Sequence, residues 1–228
     1  MKMRYVLGIL TAFVLAAGLV SALPAGATVT GTSNTTWAGS SAGDITVDGG
    51  YIYYRDLDAT MQTMKWAAIY GNVSGKIVLR DASENEVYNW SISTIHDGHA
   101  IFTEASSPDW STLTNTSGAV AGVDSAWSFG SAADNAANTF GTPESDTVNG
   151  ITKNVPVVKT FNSAGSEYWE TYLWDFGAVA AKTDFVFAGK VHPGQEAFDG
   201  SVVDFQVLVP VTTTDGETDT YNVYVELE

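Results

Sequence analysis

Apolar and polar residues alternate along this chain at the two-residue period of a β-strand, in many short segments. The segment 64–70 follows this pattern, and an extended apolar segment resumes at 77–80 after the polar turn 71–75, which predicts a hairpin. A third strand at 87–92 would extend the hairpin into a meander. Further strands are predicted near 51–57, 99–103, 155–161, 168–176, 185–191, 202–209 and 220–227.

Turn signals separate these segments. Asp-Gly or Asn-Gly dipeptides occur at 48–49, 97–98, 149–150, 199–200 and 215–216, and such residues tolerate the positive φ angles at which strands reverse. In the last segment Tyr221, Val223, Val225 and Leu227 share one face, which predicts a core face opposite a solvated face that carries Glu226.

Many short strands with glycine-rich turns predict an all-β fold, an antiparallel β-sandwich of the jelly-roll or Ig-like type, with a barrel as the lesser alternative. The Ala- and Asn-rich stretch 131–140 is the one plausible short helix beyond the N-terminus, with a loop as the equal alternative. We expect three regions: a signal peptide at 1–27, a flexible Ser/Thr/Gly leader at 28–43 that is a possible donor strand, and a single β-sandwich domain at 44–228.

The N-terminus has the parts of a secretory signal peptide. Lys2 and Arg4 precede a helical apolar run at 5–20, and small residues follow at Ala25-Gly26-Ala27. This order predicts export and cleavage after Ala27, with an uncleaved membrane anchor as the alternative. The expected location is secreted and extracellular, at the cell surface.

The charge and the cysteine content of the chain exclude several classes of function. The chain has 26 acidic and 10 basic residues, a formal net charge of −16, and no cysteine. Nucleic-acid binding needs clustered Lys and Arg, and no such cluster occurs. The absence of cysteine excludes disulfides, a thiol nucleophile and cysteine metal sites, so burial must stabilise the exported domain, aided by metal ions or partner subunits.

Two kinds of residue group in the chain carry potential metal ligands. No cofactor is expected, although Ca²⁺ is possible at the acidic turns 81–86 and 215–219, which offer oxygen ligands without the spacing of an EF-hand. Solvated turn acids are the alternative. The His96-Asp97-Gly98-His99 group could hold a transition metal, but without a third ligand at a zinc-like spacing these are expected to be turn histidines.

Four Asn-x-Ser/Thr sequons are possible N-glycosylation sites, at Asn34, Asn72, Asn89 and Asn115. Asn72 lies in the predicted hairpin turn, where a glycan would project into water. Asn89 lies beside Trp90 and is alternatively a plain sheet residue.

Seven tryptophans are many for this length. They favour core packing over a sugar-stacking platform, because large aromatic side chains dominate the cores of β-sandwiches. Trp169 and Trp174 lie five residues apart, so a regular strand would point them to opposite faces.

Most of the chain that would remain after signal cleavage resembles archaeal secreted surface proteins. The similarity lies in Trp66, the run 70–83, the group Tyr88-Asn89-Trp90, the run 198–210 and the terminal Tyr224-Val225-Glu226-Leu227. This resemblance implies a β domain associated with a cell envelope or pilus, without an assigned reaction. Ala25-Gly26-Ala27 follows the apolar run, whereas a pilin-type leader is cut before it, which argues against a helix-cored pilus.

These features predict an exported, non-catalytic structural protein, a subunit of a filament, pilus or coat. Its partners would be copies of itself or other surface subunits, with no nucleic acid and, after signal cleavage, no membrane. Assembly would proceed by β-strand addition, with 28–37 as the donor and 221–227 as the alternative donor. A carbohydrate-binding module that uses exposed tryptophans is the second hypothesis, and a secreted hydrolase is the third.

Overall fold

The computed structural model describes residues 23–31, 33–38, 41, 43–91, 98–212 and 218–227, and this part of the chain is mostly β. The mainly β prediction is confirmed, and the strands pair antiparallel. The strands are β1 (Ala25–Gly26), β2 (Trp66–Gly71), β3 (Lys76–Arg80), β4 (Glu86–Ser91), β5 (Gly98–Thr103), β6 (Glu144–Val148), β7 (Ile151–Val155), β8 (Val157–Phe161), β9 (Glu167–Asp175), β10 (Phe185–Lys190), β11 (Gln195–Glu196), β12 (Val202–Val203), β13 (Phe205–Pro210) and β14 (Asn222–Leu227). The helices are α1 (Ala119–Ala126) and α2 (Ala136–Thr139), with 3-10 turns at Trp110–Thr112 and Lys182–Asp184.

Six strands form the central sheet, in the order β1-β14-β5-β10-β9-β8. The middle of the sheet is the β5–β10 pair, in which Phe102 lies opposite Phe187. The edge strands of this sheet are β1 and β8. Four two-stranded sheets accompany it, formed by β2–β13, β3–β4, β6–β7 and β11–β12.

Both faces of the central sheet are covered. Along β10, Phe185 and Phe187 point to one face and Val186 and Ala188 to the other, as the strand period requires. We call the first side the helix-side core, where β13, β2 and α1 pack on the sheet through residues that include Val207, Trp66 and Trp127. The second side is the hairpin-side core, where Val148 and Val155 of the β6–β7 hairpin and Trp110 cover Ile101, Tyr172, Trp174, Val186 and Ala188.

The predicted meander of three neighbouring strands is wrong. β2 pairs along its whole length with β13, from Trp66 opposite Pro210 to Gly71 opposite Phe205, while β3 pairs with β4. The reason is burial: pairing with β13 lets Trp66 pack with Phe129 and Phe140 in the helix-side core. The β3–β4 hairpin is largely exposed.

Most other predicted strands are present, with the segment 155–161 interrupted at Pro156 and the segment 202–209 divided between β12 and β13. The strand predicted at 51–57 does not form, since nothing in the described chain pairs with this segment. Helix α2 lies inside the predicted 131–140 stretch, but α1, only eight residues long, was not predicted.

The solvated face predicted for the last strand is also wrong. Val223, Val225 and Leu227 do pack against the helix-side core, but Glu226 on the opposite face is fully buried. Because the β6–β7 hairpin covers this side of the sheet, neither face of β14 is turned wholly to water.

The turn prediction at Asn149-Gly150 is confirmed. These two residues connect β6 to β7 with φ angles of 52° and 69°, the pair of positive angles that a tight hairpin with the twist of its strands requires. Predictions that lie outside the described residues are the signal helix at 1–20, His96, Asp97 and the turn residues 215–217.

Close contact between the layers at Gly189 gives a testable prediction. A Cβ added at Gly189 would lie 2.0 Å from Cγ2 of Val207 on β13, so Gly189→Ala must push the two layers apart. We expect a loss of about 1–3 kcal/mol in the free energy of unfolding, measured by chemical denaturation.

Gly71→Ala is the matched control for this prediction. Its added Cβ would meet only the Phe205 ring, at the ordinary contact distance of 3.7 Å, so the change should stay within about 0.5 kcal/mol. Equal denaturation midpoints for the two variants would contradict the close packing of the layers.

Candidate functional site

The outer edge of β14 pairs with a much shorter strand than its inner edge does. Its neighbour β1 contributes two residues, Ala25 opposite Val225 and Gly26 opposite Tyr224. One further bond runs from the backbone N–H of Ala27 to the carbonyl of Val223, at 2.9 Å. Because strand residues two apart direct their backbone groups to the same edge, Val223, Val225 and Leu227 define this edge.

The covering residues have a special position in the sequence. Ala25, Gly26 and Ala27 are the three residues immediately before the predicted cleavage site. Cleavage after Ala27 would therefore remove β1 and leave the N–H and C=O groups of this edge to water or to another strand.

On its other side β14 is held by a buried charge cluster. His99 Nε2 lies 3.0 Å from Asp146 Oδ1, and His99 Nδ1 lies 3.4 Å from Glu226 Oε2. Asp146 also accepts a hydrogen bond of 2.9 Å from Trp174 Nε1, and Glu226 accepts one of 2.6 Å from the backbone N–H of Asn149. The cluster thus joins β14 to β5 and to the β6–β7 hairpin.

Opposing effects act on the pKa of the histidine. Burial alone would lower the pKa of His99, but hydrogen bonds and attraction from Asp146 and Glu226 outweigh it and raise that pKa to about 9. For Asp146, burial acts to raise the pKa, yet the bond to His99 wins and the pKa lies below its usual value. His99 is therefore a cation at neutral pH, between two acidic side chains.

The burial of this cluster favours a structural role over a catalytic one. His99 is 4% exposed, Asp146 3% and Glu226 0%, so a substrate in solvent does not reach the imidazole. Separating the partners of such a cluster would leave an uncompensated buried charge. A shift of β14 along β5 that parted Glu226 from His99, which lie opposite each other, would therefore be costly.

The sequence did not predict this arrangement. His99 was expected both as a turn histidine beside His96 and as the first residue of the strand at 99–103, and it lies in β5 with its ring in the hairpin-side layer. Its partner Asp146 is 47 residues away and Glu226 stands near the end of the chain. No local spacing signals such a contact, since strand order in the central sheet places β14 beside β5 and the packing of the β6–β7 hairpin on that sheet brings Asp146 to them.

The carboxylates of the predicted acidic turns have internal partners. Asp81 accepts hydrogen bonds from the backbone of Ser83 and Asn85, and Glu86 forms ion pairs with Lys76 and Arg80. In the second turn, Asp219 bonds Lys182 and Thr212. In the described part of the chain no group of three or more acidic or histidine side chains is placed to hold a metal ion, and Ca²⁺ binding stays a prediction.

The four sequons differ in accessibility. Asn34, Asn72 and Asn89 are exposed, although the Asn89 amide donates to Glu86. Asn115 is half-buried, and its amide donates to the carbonyl of Asn154 at 2.6 Å. Asn72 lies in the loop between β2 and β3, which is not the hairpin turn expected. Asn34 and Asn72 are therefore the sequons best placed for a glycan.

Most of the tryptophans are core residues, as predicted: Trp66, Trp110, Trp127, Trp169 and Trp174 are buried. Trp169 and Trp174 belong to different clusters, on opposite faces of β9. Trp37 and Trp90 are 44% and 47% exposed. Trp90 packs edge-on against Tyr88, with their rings 71° apart, so the two rings do not form a flat platform.

Comparisons with known proteins found no relative: no protein-family model, curated protein or solved structure matches the chain. The resemblance to archaeal surface proteins therefore stays a prediction from the residues that suggested it. Within the described residues, no helix has both the length and the apolar character that crossing a membrane requires.

The charge cluster predicts a pH dependence of stability. A group whose pKa is higher in the folded state stabilises fully below its unfolded pKa and stops stabilising above its folded pKa. For His99 that window runs from pH 6.5 to about 9. We expect the free energy of unfolding to fall by up to about 3 kcal/mol across this window, measured by urea denaturation at a series of pH values.

His99→Gln is the control for this experiment, because an amide can still bond Asp146 but does not titrate. The variant should be less stable at pH 6 and should lose less stability between pH 6.5 and 9. Parallel pH profiles for the two proteins would show that His99 does not carry the predicted charge.

Proposed function

We propose that this protein is an exported, non-catalytic structural subunit of an archaeal-type cell surface, forming a filament, pilus or coat by β-strand addition. In this proposal a neighbouring copy supplies an extended segment that pairs with an open strand edge. The mature chain would be extracellular and would act through the surfaces that it presents.

One observation carries the proposal: the residues that cover the outer edge of β14 are those that the predicted signal cleavage removes. An uncovered edge presents a row of unpaired backbone groups that templates pairing with another chain. Maturation would thus convert a covered precursor into a subunit able to assemble, and only after export.

The charge cluster supports β14 as the acceptor. The sequence also offered 221–227 as a donor, but β14 pairs with β5 along all six of its residues and is anchored through Glu226. A strand held by a buried ion cluster is poorly suited to leave its own sheet. Its outer edge, once β1 has been removed, would be able to accept a strand from a partner.

We further propose that the central sheet and the β2–β13 pair form a sandwich of the jelly-roll or Ig-like type. Support comes from the packing of Val207 and Val209 of β13 with Phe187 and Leu173 of the central sheet in one core. Such a domain needs no disulfide when its core is this aromatic, which is consistent with a chain that has no cysteine.

The role assigned to β1 can be tested with two chains that differ only at the N-terminus. One begins at Leu23 and keeps β1, and the other begins at Thr28 and lacks it. We expect filaments from the Thr28 chain and mainly monomer from the Leu23 chain, because β1 competes with the incoming strand. Negative-stain microscopy and sedimentation at a series of concentrations measure this.

Protein purified from its own cells is the reference, and mass spectrometry should place its N-terminus at Thr28. Monomer at every concentration in the Thr28 chain and in the cell-derived protein would overturn assembly as the function. Equal filament formation by both engineered chains would remove β1 as the cover while leaving assembly intact.

Carbohydrate binding remains the second candidate, favoured by the exposed Tyr88 and Trp90 rings on the β3–β4 hairpin. Aromatic rings on a protruding hairpin are able to stack on sugars. Cell-surface glycans are titrated into the unsubstituted protein and into Trp90→Ala while tryptophan fluorescence is measured. Saturable quenching that is lost in the variant supports sugar binding at this hairpin. Absence of quenching in the unsubstituted protein excludes this surface as a sugar-binding site.

A further inference from the structure

The segment 51–57 has the sequence of a strand but no strand partner. Its residues, Tyr-Ile-Tyr-Tyr-Arg-Asp-Leu, follow a turn in which Gly50 has a φ of 88°. The side chains of Ile52, Tyr54 and Leu57 are 103%, 80% and 94% exposed. The described residues around this segment contain no helix or strand from Ala27 to Lys65.

The composition of this segment is unlike that of a solvated linker. Chains that stay unfolded are poor in aromatic and β-branched residues, whereas three tyrosines, one isoleucine and one leucine occur here within seven residues. A run of exposed apolar side chains on a protein surface usually marks an interaction site, and long connections without regular structure are usually either functional or linkers.

Beside the outer edge of β14, the helix-side core is only partly covered. Val223, Val225 and Leu227 contact this core, yet they are only half-buried. In the precursor β1 covers part of this edge, and β1 is two residues long against six in β14. A longer apolar strand would pair with more of the edge and cover more of these side chains.

We propose that residues 51–57 of one copy add as an antiparallel strand to the outer edge of β14 in a second copy. This inference rests on the proposed assembly function and names its donor, in place of the leader 28–37. The leader segment holds only Val29 and Trp37 as large apolar residues, so it has less apolar surface to bury.

The geometry of this contact leads to a filament. Donor and acceptor are different surfaces of the same chain, so every bound copy still offers one of each. A head-to-tail contact of this kind propagates without closing unless its rotation makes a ring. The segment 51–57, which has no strand partner within its own chain, would then pair with a strand of a neighbouring copy.

Proline substitution distinguishes the two possible donors. Tyr53→Pro removes one backbone N–H in the middle of 51–57 and prevents regular pairing there. The matched control Thr35→Pro makes the same change in the exposed leader. With the chain beginning at Thr28, we expect Tyr53→Pro to raise the concentration needed for filament formation at least about tenfold, and Thr35→Pro to leave it unchanged.

Thiol cross-linking tests the contact directly, since the chain has no cysteine of its own. In an antiparallel arrangement the end of the donor near Asp58 lies beside the start of β14, where Thr220 is exposed. A chain with Asp58→Cys is mixed with a chain with Thr220→Cys, and a short bismaleimide should link them into a covalent dimer. The control pair is Thr35→Cys with Thr220→Cys.

The outcomes separate this inference from the proposed function. Filaments that survive Tyr53→Pro, or links formed only by the Thr35 pair, would overturn 51–57 as the donor and leave assembly standing. A link within one chain carrying both Asp58→Cys and Thr220→Cys, at high dilution and without dimers, would show that the strand closes on its own subunit. Failure of the unsubstituted chain to assemble would overturn the function itself.

Discussion

Burial of the central sheet on both faces is the constraint on which the rest of this structure depends. Along β9 and β10 successive side chains enter two different cores, so neither strand has a side that tolerates water. Trp174 and Val186 fill the hairpin-side core, while Leu173 and Phe187 fill the helix-side core. Such a sheet needs two covering layers, which β13 with α1 and the β6–β7 hairpin provide.

Two-sided burial also explains why a charged cluster lies inside a domain of this size. Once the β6–β7 hairpin covers the face of β14 and β5, Glu226 and His99 lose water and must satisfy each other, with Asp146 supplying the second carboxylate. A buried cluster like this costs desolvation and tolerates little displacement. Its consequence is a last strand held in one register, although β14 lies next to the edge of the sheet.

The outer edge of β14 is less well covered than the edges of the interior strands. The interior strands are covered above, below and on both sides, whereas β14 has a two-residue neighbour on its outer side. Half-buried valines on β14, together with an exposed tyrosine-rich segment elsewhere in the same chain, show that one chain leaves part of its apolar surface uncovered. In the proposed assembly, strand addition at this edge would cover these valines, and removal of the N-terminal peptide would permit it.

The sequence by itself determined the elements that depend on local chemistry. Turn dipeptides located the segments that became β5, β9 and β10, alternation located β14, Asn149-Gly150 located a hairpin turn, and aromatic bulk placed five tryptophans in the core. Only the tertiary structure decided which strands pair. β2 finds β13 far along the chain instead of its neighbour β3 because a shared core outweighs nearness in sequence, and His99 meets Glu226 because sheet order, which no local pattern encodes, places them side by side.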